Sequence, residues 1–200
     1  MPRSTNPGRD LKASPFQTSL QEALETFESI RSLDEPLTKA ADTVLQCLKS
    51  GGKLLLCGNG GSAADSAHIA TEFTCRFQED RRPYPAIALN VDGGLLTAIG
   101  NDYAFQDIFA RQVQAFGQPG DVLIAISSSG KSRNILSAIE EARRRKMKTI
   151  VLLGKGGGFT AGAAEIELIV PGTVTARIQE AQKFLLHVLC ELVEAQLPRP

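Results

Sequence analysis

Apolar residues recur with a helical period in the first quarter of the chain. Over residues 16–33 and 37–48 they return every three or four positions, which predicts two amphipathic helices. Residues 1–14 contain two prolines, mostly polar side chains and no apolar period, so we expect a disordered tail there. The remaining residues 15–197 are predicted to form a single domain that includes the two helices.

Five short apolar runs follow, and they alternate with helical patterns. The runs cover residues 53–57, 85–90, 121–127, 148–153 and 165–170. Four helical patterns lie between and after these runs. The first ends at about Phe77, the second covers residues 93–116, the third ends near Lys146, and the last covers residues 174–196. Apolar strands that alternate with helices indicate an α/β fold, with a parallel sheet covered on both faces. We therefore expect a three-layer α-β-α domain with five parallel strands, in an order that the alternation leaves open.

The charge balance argues against nucleic acid as a partner. The chain carries 22 basic and 22 acidic residues and has a net charge of zero, whereas nucleic-acid binders usually carry a basic excess. The only strong basic run, residues 143–146, lies at the end of a predicted helix, where cations interact favourably with the helix dipole.

The cysteines and the apolar runs indicate the compartment. The four cysteines form no C-x-x-C pair, and three of them lie in apolar segments, so free buried thiols are expected. The chain shows no apolar leader and no run long enough to span a membrane. We therefore expect a cytoplasmic protein without a membrane partner.

Two loops rich in glycine and serine join predicted strands to predicted helices, where a parallel sheet binds its ligands. Residues 127–132 place four serine hydroxyls within six positions. One serine is enough to cap a helix, so we interpret this loop as a phosphate site built from hydroxyls and free N–H groups. Residues 58–62 contain three glycines, which allow a ligand to approach the backbone closely. Judged alone, this second loop is explained equally well as a tight turn with Ser62 as the helix cap.

The chain contains two histidines, His68 and His187. Glu72 lies four residues after His68, so the two side chains share a helix face and could converge on a metal ion. Gln179 lies eight residues before His187, on the same face of the last predicted helix. A core histidine beside a surface carboxylate also explains the first pair, and spacing alone does not bring the two helices together.

Several motifs, in this order along the chain, resemble those of the bacterial phosphoheptose isomerases, which belong to the sugar isomerase (SIS) domain class. The motifs are Gly58-Asn59-Gly60-Gly61-Ser62 with Asp65, His68 and Glu72, then residues 98–102, 120–123, 126–132 and 176–180, and finally His187. The resemblance covers nearly the whole chain after the predicted tail.

This resemblance implies a flavodoxin-like sheet, a homotetramer with sites at subunit interfaces, and one zinc ion per subunit. The implied zinc ligands are His68, Glu72, Gln179 and His187. The implied substrate contacts are Asn59, Gly60, Gly61, Ser62, Glu72, Arg76, Asn101, Asp102, Ser127, Ser128, Ser129, Ser132 and Gln179.

The reaction implied by the resemblance converts D-sedoheptulose 7-phosphate to D-glycero-D-manno-heptose 7-phosphate. It leads to the activated heptose of bacterial lipopolysaccharide and other surface polysaccharides. The chemistry moves a proton between adjacent carbons through an enediol and needs a base, an acid and an electrophile. By resemblance Glu72 is the base, His187 is the acid and zinc polarises the carbonyl.

One departure from the family and three rival functions bear on this interpretation. Ala176 stands where the family often has an aspartate that contacts the substrate, so this position bears on the rate and on the exact substrate. A relative that binds the replication initiator shares this alanine but lacks the counterparts of Glu72 and His187, which favours the enzyme. The second rival is a sugar-phosphate sensor, and the third is an isomerase of a different ketose phosphate.

Overall fold

The computed structural model describes residues 14–198. The predicted tail lies outside these residues except for Ser14, whose hydroxyl accepts a hydrogen bond from the Gln17 N–H (3.2 Å) and caps the first helix. The helices in the described part are α1 (Pro15–Ser29), α2 (Asp34–Lys49), α3 (Gly61–Thr74), α4 (Gly93–Asp102), α5 (Ala110–Phe116), α6 (Arg133–Arg144) and α7 (Thr175–Glu194). The strands are β1 (Leu54–Gly58), β2 (Ala86–Ala88), β3 (Val122–Ser127), β4 (Lys148–Gly154) and β5 (Ile166–Val170).

The five strands form one parallel sheet in the order β2-β1-β3-β4-β5. The sheet grows in one direction from β1 to β2 and in the other from β1 through β3 to β5. The strand order therefore reverses between β1 and β3, and open α/β sheets bind ligands at the carboxyl ends of the strands at such a switch point. Both loops singled out in the sequence follow these two strands.

Alternate side chains of the central strands enter two separate cores. Leu54 and Leu56 of β1 pack with α2, α3 and α7, whereas Leu55 and Cys57 pack with α5 and α6. This alternation confirms the predicted three-layer arrangement, because the central strands β1, β3 and β4 are buried on both faces. None of the helices within residues 14–198 combines the length and the apolar character needed to cross a membrane.

Two predicted helix ends differ from the structure. The first helical pattern, predicted to run to Leu33, stops as an α-helix at Ser29 and continues as a 3-10 turn over Ile30–Leu33. The helix after the glycine loop, predicted to reach about Phe77, ends at Thr74. The reason is that the last carbonyls of α3 accept hydrogen bonds from residues further along the chain rather than from another helical turn.

The apolar face of α1 is exposed in the single chain. Phe16, Leu20 and Leu24 are 69%, 43% and 58% exposed, and α1 contains no buried residue. The helix meets the domain near its end, where the Phe27 and Phe184 rings are 5.3 Å apart edge to face, and at the Ser19 carbonyl, which accepts a hydrogen bond from Arg177 (2.7 Å). The helical period at this segment therefore predicts the helix correctly, while its apolar face lies outside the core of one chain.

Candidate active site

The two loops at the switch point are joined by a pair of amide side chains. Asn59 in the loop after β1 and Asn134 in the first turn of α6 exchange two hydrogen bonds, each Nδ2 donating to the opposite Oδ1 at 2.9 Å. Asn134 is buried. The pair fixes the separation of the two loops, so Asn59, predicted as a substrate contact, also has a structural partner.

The glycine loop turns sharply into α3. Gly60 has φ +57° and is the residue that caps α3, so Ser62 is not the cap but a buried residue inside the first turn. This position excludes the simple cap that the sequence left open. The turn closes on itself at the carboxyl end of β1, because the N–H groups of Ser62 (3.1 Å) and Ala63 (3.0 Å) donate to the carbonyls of Asn59 and Gly60.

The serine loop uses its hydroxyls among themselves and on its own backbone. The Ser127 and Ser132 oxygens are 3.3 Å apart, and Ser127 Oγ accepts a hydrogen bond from the Gly130 N–H (3.2 Å). Ser132 occupies the cap position of α6, yet its side chain makes no capping hydrogen bond. Ser128 and Ser129 are partly exposed beside it. The hydroxyls are therefore grouped as an anion would need them, and helix capping does not account for them.

A second glycine turn, over Lys155–Thr160 after β4, packs against the serine loop. Gly130, at φ +61°, lies so close to this turn that an added Cβ would overlap the carbonyl of Gly157. Its own carbonyl oxygen accepts hydrogen bonds from the hydroxyl (2.8 Å) and the backbone N–H (3.2 Å) of Thr160. The conformation of the serine loop is thus set by backbone contact with the residues after β4.

Helices α3 and α7 lie side by side and run in the same direction. At their beginnings, Gly61 faces Gln179, and a Cβ on Gly61 would lie 2.8 Å from Gln179 Nε2. One turn further along both helices, Lys183 Nζ lies 2.9 Å from Asp65 Oδ1. Gly61 thereby allows the close approach of the helices, and the ion pair keeps their alignment for the next turn.

The histidines meet on the following turn of the same two helices. The rings of His68 and His187 are 5.1 Å apart at 62°, and His68 Nε2 lies 2.8 Å from Glu72 Oε1. The Phe77 ring lies 5.9 Å from that of His187. All three polar side chains are partly exposed. The structure thus brings together two imidazoles and one carboxylate that the sequence could not connect by spacing.

Gln179 lies in the first turns of α7, before His187. Its amide contacts Gly61, while His187 is eight residues further along α7, about 12 Å of helix at 1.5 Å per residue. Within residues 14–198, no three His, Cys, Asp or Glu side chains are grouped closely enough to hold a metal ion as they stand. The donor set of His68, Glu72 and His187 nevertheless fits zinc, which is commonly bound by two imidazoles and a carboxylate.

The remaining predicted site residues lie on the exposed surface. Arg76 follows α3 and donates to the Gln78 carbonyl at 3.2 Å. Asn101 and Asp102 form the end of α4 and hydrogen bond to each other at 2.9 Å. In the described part of the chain, no side-chain hydrogen bond joins either residue to the two loops. Ala176 is exposed in the first turn of α7, which contains no acidic residue.

The sequence did not point to several residues that hold the site. Asn134 and Glu194 become evident only from their partners, Asn59 across the two loops and Arg81 after α3. Both helix faces carry other polar residues, such as Glu141 and His187, so no break in an apolar pattern marks either position. Lys183 is exposed, and its ion pair with Asp65 likewise becomes evident only from the helix packing.

Comparison with known proteins assigns this arrangement to a class. A family model described as the SIS domain matches residues 16–154, more than half of the chain, and the chain belongs to that family. Phosphoheptose isomerases of Shewanella denitrificans and Bordetella avium are 46% and 49% identical to it over 186 and 173 residues. These matches cover 91% and 85% of this chain and 95% and 88% of the relatives.

A solved structure agrees with these relatives. That of a phosphoheptose isomerase from Neisseria gonorrhoeae is 42% identical and superposes with a TM-score of 0.84, covering 89% of this chain and 96% of that one. Among SIS-domain proteins, the chain therefore belongs to the phosphoheptose isomerase family, and the resemblance found in the sequence is confirmed.

Proposed function

We propose that the protein isomerises D-sedoheptulose 7-phosphate to D-glycero-D-manno-heptose 7-phosphate. The observation that carries the proposal is the cluster of Glu72, His68 and His187, which lies on α3 and α7. Both helices begin at the carboxyl ends of the strands, where the glycine and serine loops lie. The relatives named as phosphoheptose isomerases match over most of their own length, which supports an enzyme over an initiator-binding protein or a sensor.

The phosphate end of the substrate is assigned to the serine loop. Its hydroxyls and the N-terminal N–H groups of α6 offer several donors to a dianion, and the helix dipole favours negative charge at the same point. Asn59 and Asn134 keep this loop at a fixed distance from the glycine loop. The sugar then extends from the serine loop past the glycine loop toward α3 and α7.

The acid and base are assigned to the other end of the substrate. Isomerisation needs a base that removes a proton from the carbon next to the carbonyl and an acid that protonates the oxygen. Glu72 supplies the carboxylate, and His68 Nε2 lies 2.8 Å from it and orients it. His187, whose ring faces that of His68, supplies the proton donor. The partial exposure of all three leaves room for a ligand.

Zinc is proposed as the resident metal, held by His68, Glu72 and His187. The family resemblance implies Gln179 as a fourth ligand, but its contact with Gly61 assigns it first to the packing of α3 against α7. A bound zinc ion would supply the electrophile that polarises the carbonyl. Glu72 would then serve both the metal and the proton transfer, so its carboxylate must reorient during the reaction.

The setting of the enzyme is also a proposal. A homotetramer is supported by the exposed apolar face of α1, since a large apolar patch on a single chain usually marks an interface. Asn101, Asp102 and Arg76 would complete a substrate site of the tetramer. A cytoplasmic location and a place in the synthesis of surface polysaccharide heptose follow from the family and from the free cysteines.

The test is incubation of purified, metal-analysed protein with sedoheptulose 7-phosphate while the aldose product is followed by NMR. We expect turnover that a chelator abolishes and added zinc restores. A zinc-loaded protein without turnover would contradict the proposal. In that case Ala176 favours an isomerase of another ketose phosphate, because the missing carboxylate changes the substrate end of α7.

A further inference from the structure

A buried ion pair joins the end of α3 to the end of α7. Arg81 Nε lies 2.9 Å from Glu194 Oε1, and the two side chains are only 4% and 8% exposed. The Glu194 carboxylate also accepts hydrogen bonds from the backbone N–H groups of Phe77 (3.2 Å), Gln78 (2.9 Å) and Glu79 (3.1 Å). One carboxylate thus organises the segment that follows α3.

This location is unfavourable for a carboxylate unless it serves a specific contact. Glu194 is the last residue of α7, where the helix dipole disfavours negative charge. Burial raises the pKa of Glu194, but hydrogen bonds from Gln78, Glu79, Phe77 and Arg81 outweigh it and lower the pKa below its ordinary value. Apolar residues often replace such a buried pair without loss of stability, so packing alone does not explain its presence.

The pair reaches the proposed catalytic groups from two sides. Arg81 donates to the backbone carbonyls of Glu72 and, at 3.0 Å, of Phe73, which are free because α3 ends at Thr74. On the other side, the bond from the Phe77 N–H to Glu194 holds the Phe77 ring 5.9 Å from the ring of His187.

We propose that Glu194 and Arg81 are positioning residues for the isomerase site. Together they fix the backbone of Glu72 and hold the Phe77 ring beside the ring of His187. This inference rests on the proposed function. Neither residue touches the substrate; each acts through a hydrogen bond to the residue that does, or to its neighbour. The pair therefore fixes the distance between the base on α3 and the acid on α7.

The chain offers a matched control at the opposite end of the sheet. Asp121 is a buried carboxylate that pairs with Lys53 and accepts hydrogen bonds from the N–H groups of Lys53 (3.0 Å) and Gln118 (2.8 Å). It precedes β3, at the amino end of the strands and away from the loops. Asp121→Asn and Glu194→Gln thus make the same chemical change in similar surroundings, and only the second lies beside the site.

The first measurement is steady-state isomerisation by the two variants and by Arg81→Lys, which keeps the charge but loses the three-way donor geometry. We expect Glu194→Gln and Arg81→Lys to lower kcat on the order of 10- to 100-fold with little change in KM. We expect Asp121→Asn to keep the kcat of the unmodified protein even where its melting temperature falls. Equal kcat in Glu194→Gln and Asp121→Asn would overturn the inference.

The second measurement does not need turnover. Because the chain has only two histidines, imidazole NMR of the full-length protein gives two sets of ring signals, assigned with a His187→Gln variant. We expect Glu194→Gln to shift the His187 signals as the Phe77 ring moves, and Asp121→Asn to leave both sets unchanged. If the unmodified protein failed to isomerise the sugar phosphate, the proposed function would fall, while unshifted His187 signals in Glu194→Gln would separately overturn the positioning role.

Discussion

Glu72 is the residue on which the proposed chemistry depends most. Glu72→Gln keeps the size of the side chain and removes its ability to take a proton, so we expect turnover to fall on the order of 100- to 10,000-fold. The fold should persist, because Glu72 is partly exposed on α3 and packs in neither core. NMR turnover assays and circular dichroism of the variant measure the two effects. Glu79→Gln, an exposed carboxylate after α3, is the control; near-normal activity in Glu72→Gln would refute the base assignment.

A substitution of His187 tests metal binding separately from turnover. His187→Ala removes one imidazole from the donor set next to His68 and Glu72, so the purified variant should contain less zinc than the unmodified protein. Elemental analysis after dialysis against a weak chelator is the measurement. Glu191→Gln changes an exposed side chain one turn later on α7 that belongs neither to the donor set nor to the two cores, and it should retain zinc. Unchanged zinc in His187→Ala would show that this histidine is not a ligand.

The burial of three cysteines predicts how the thiols react with a disulfide reagent at mildly alkaline pH. Burial raises the pKa of Cys47 to about 11, with a smaller effect of the Asp121 charge, and burial raises that of Cys190 to about 12. Burial also raises the pKa of Cys57, whereas Cys75 is exposed. At pH 8 the buried thiols therefore hold almost no thiolate, which is the reactive form. A chromogenic disulfide reagent should titrate one thiol per native chain and four after denaturation; two or more fast thiols in the native protein would contradict this burial.

At the scale of elements, the contact between the serine loop and the second glycine turn can be tested with a pair of alanines. Gly130 and Gly162 both have positive φ, at +61° and +84°, so an alanine at either costs about 1–2 kcal/mol in backbone strain. Only Gly130→Ala also drives its Cβ into the Gly157 carbonyl, whereas Gly162 faces open space. We expect Gly130→Ala to lower the free energy of unfolding more than Gly162→Ala in urea titrations and to raise KM. Equal losses in the two variants would mean that the loop does not depend on this contact.

The sequence predicted the position of an element well where the apolar pattern was long, and less well where tertiary contacts determine where the element ends. The apolar runs located all five strands to within two residues of their ends, because buried strands need little besides continuous apolar character. The end of α3 was placed too late, since Thr74 is the last helical residue only because Arg81 and Tyr84 bind the final carbonyls. No local pattern before residue 74 carries that information.

At the scale of the molecule, the apolar periodicity of the chain could not predict the strand order or the candidate site. The alternation predicted five parallel strands, but the reversal between β1 and β3 depends on how the helices pack on the two faces. The meeting of His68 with His187 is likewise a result of the parallel packing of α3 against α7, which Gly61 permits. The family resemblance supplied that connection before the structure did, and it also named Gln179, whose amide lies against Gly61.

The exposed face of α1 gives a prediction for the whole assembly. Phe16, Leu20 and Leu24 form an apolar stripe along one side of a helix with no buried residue, and the burial of such a stripe is worth about 25 cal/mol per Å². If the stripe holds a homotetramer together, Leu20→Lys should place a charge in the interface and reduce the assembly to smaller species. Thr18→Lys adds the same charge about 200° away around the helix, from 100° per residue, and should leave the assembly unchanged.

Light scattering coupled to size-exclusion chromatography gives the mass of each variant, and circular dichroism shows whether the chain remains folded. Since α1 adds nothing to the two cores beyond the contact of Phe27 near its end, Leu20→Lys should keep the fold of the single chain. Loss of turnover together with the tetramer would then place part of the substrate site on a neighbouring copy, as proposed for Asn101 and Asp102. A Leu20→Lys protein with the mass of the unmodified assembly would exclude α1 as the interface, and the stripe would have to be covered in another way.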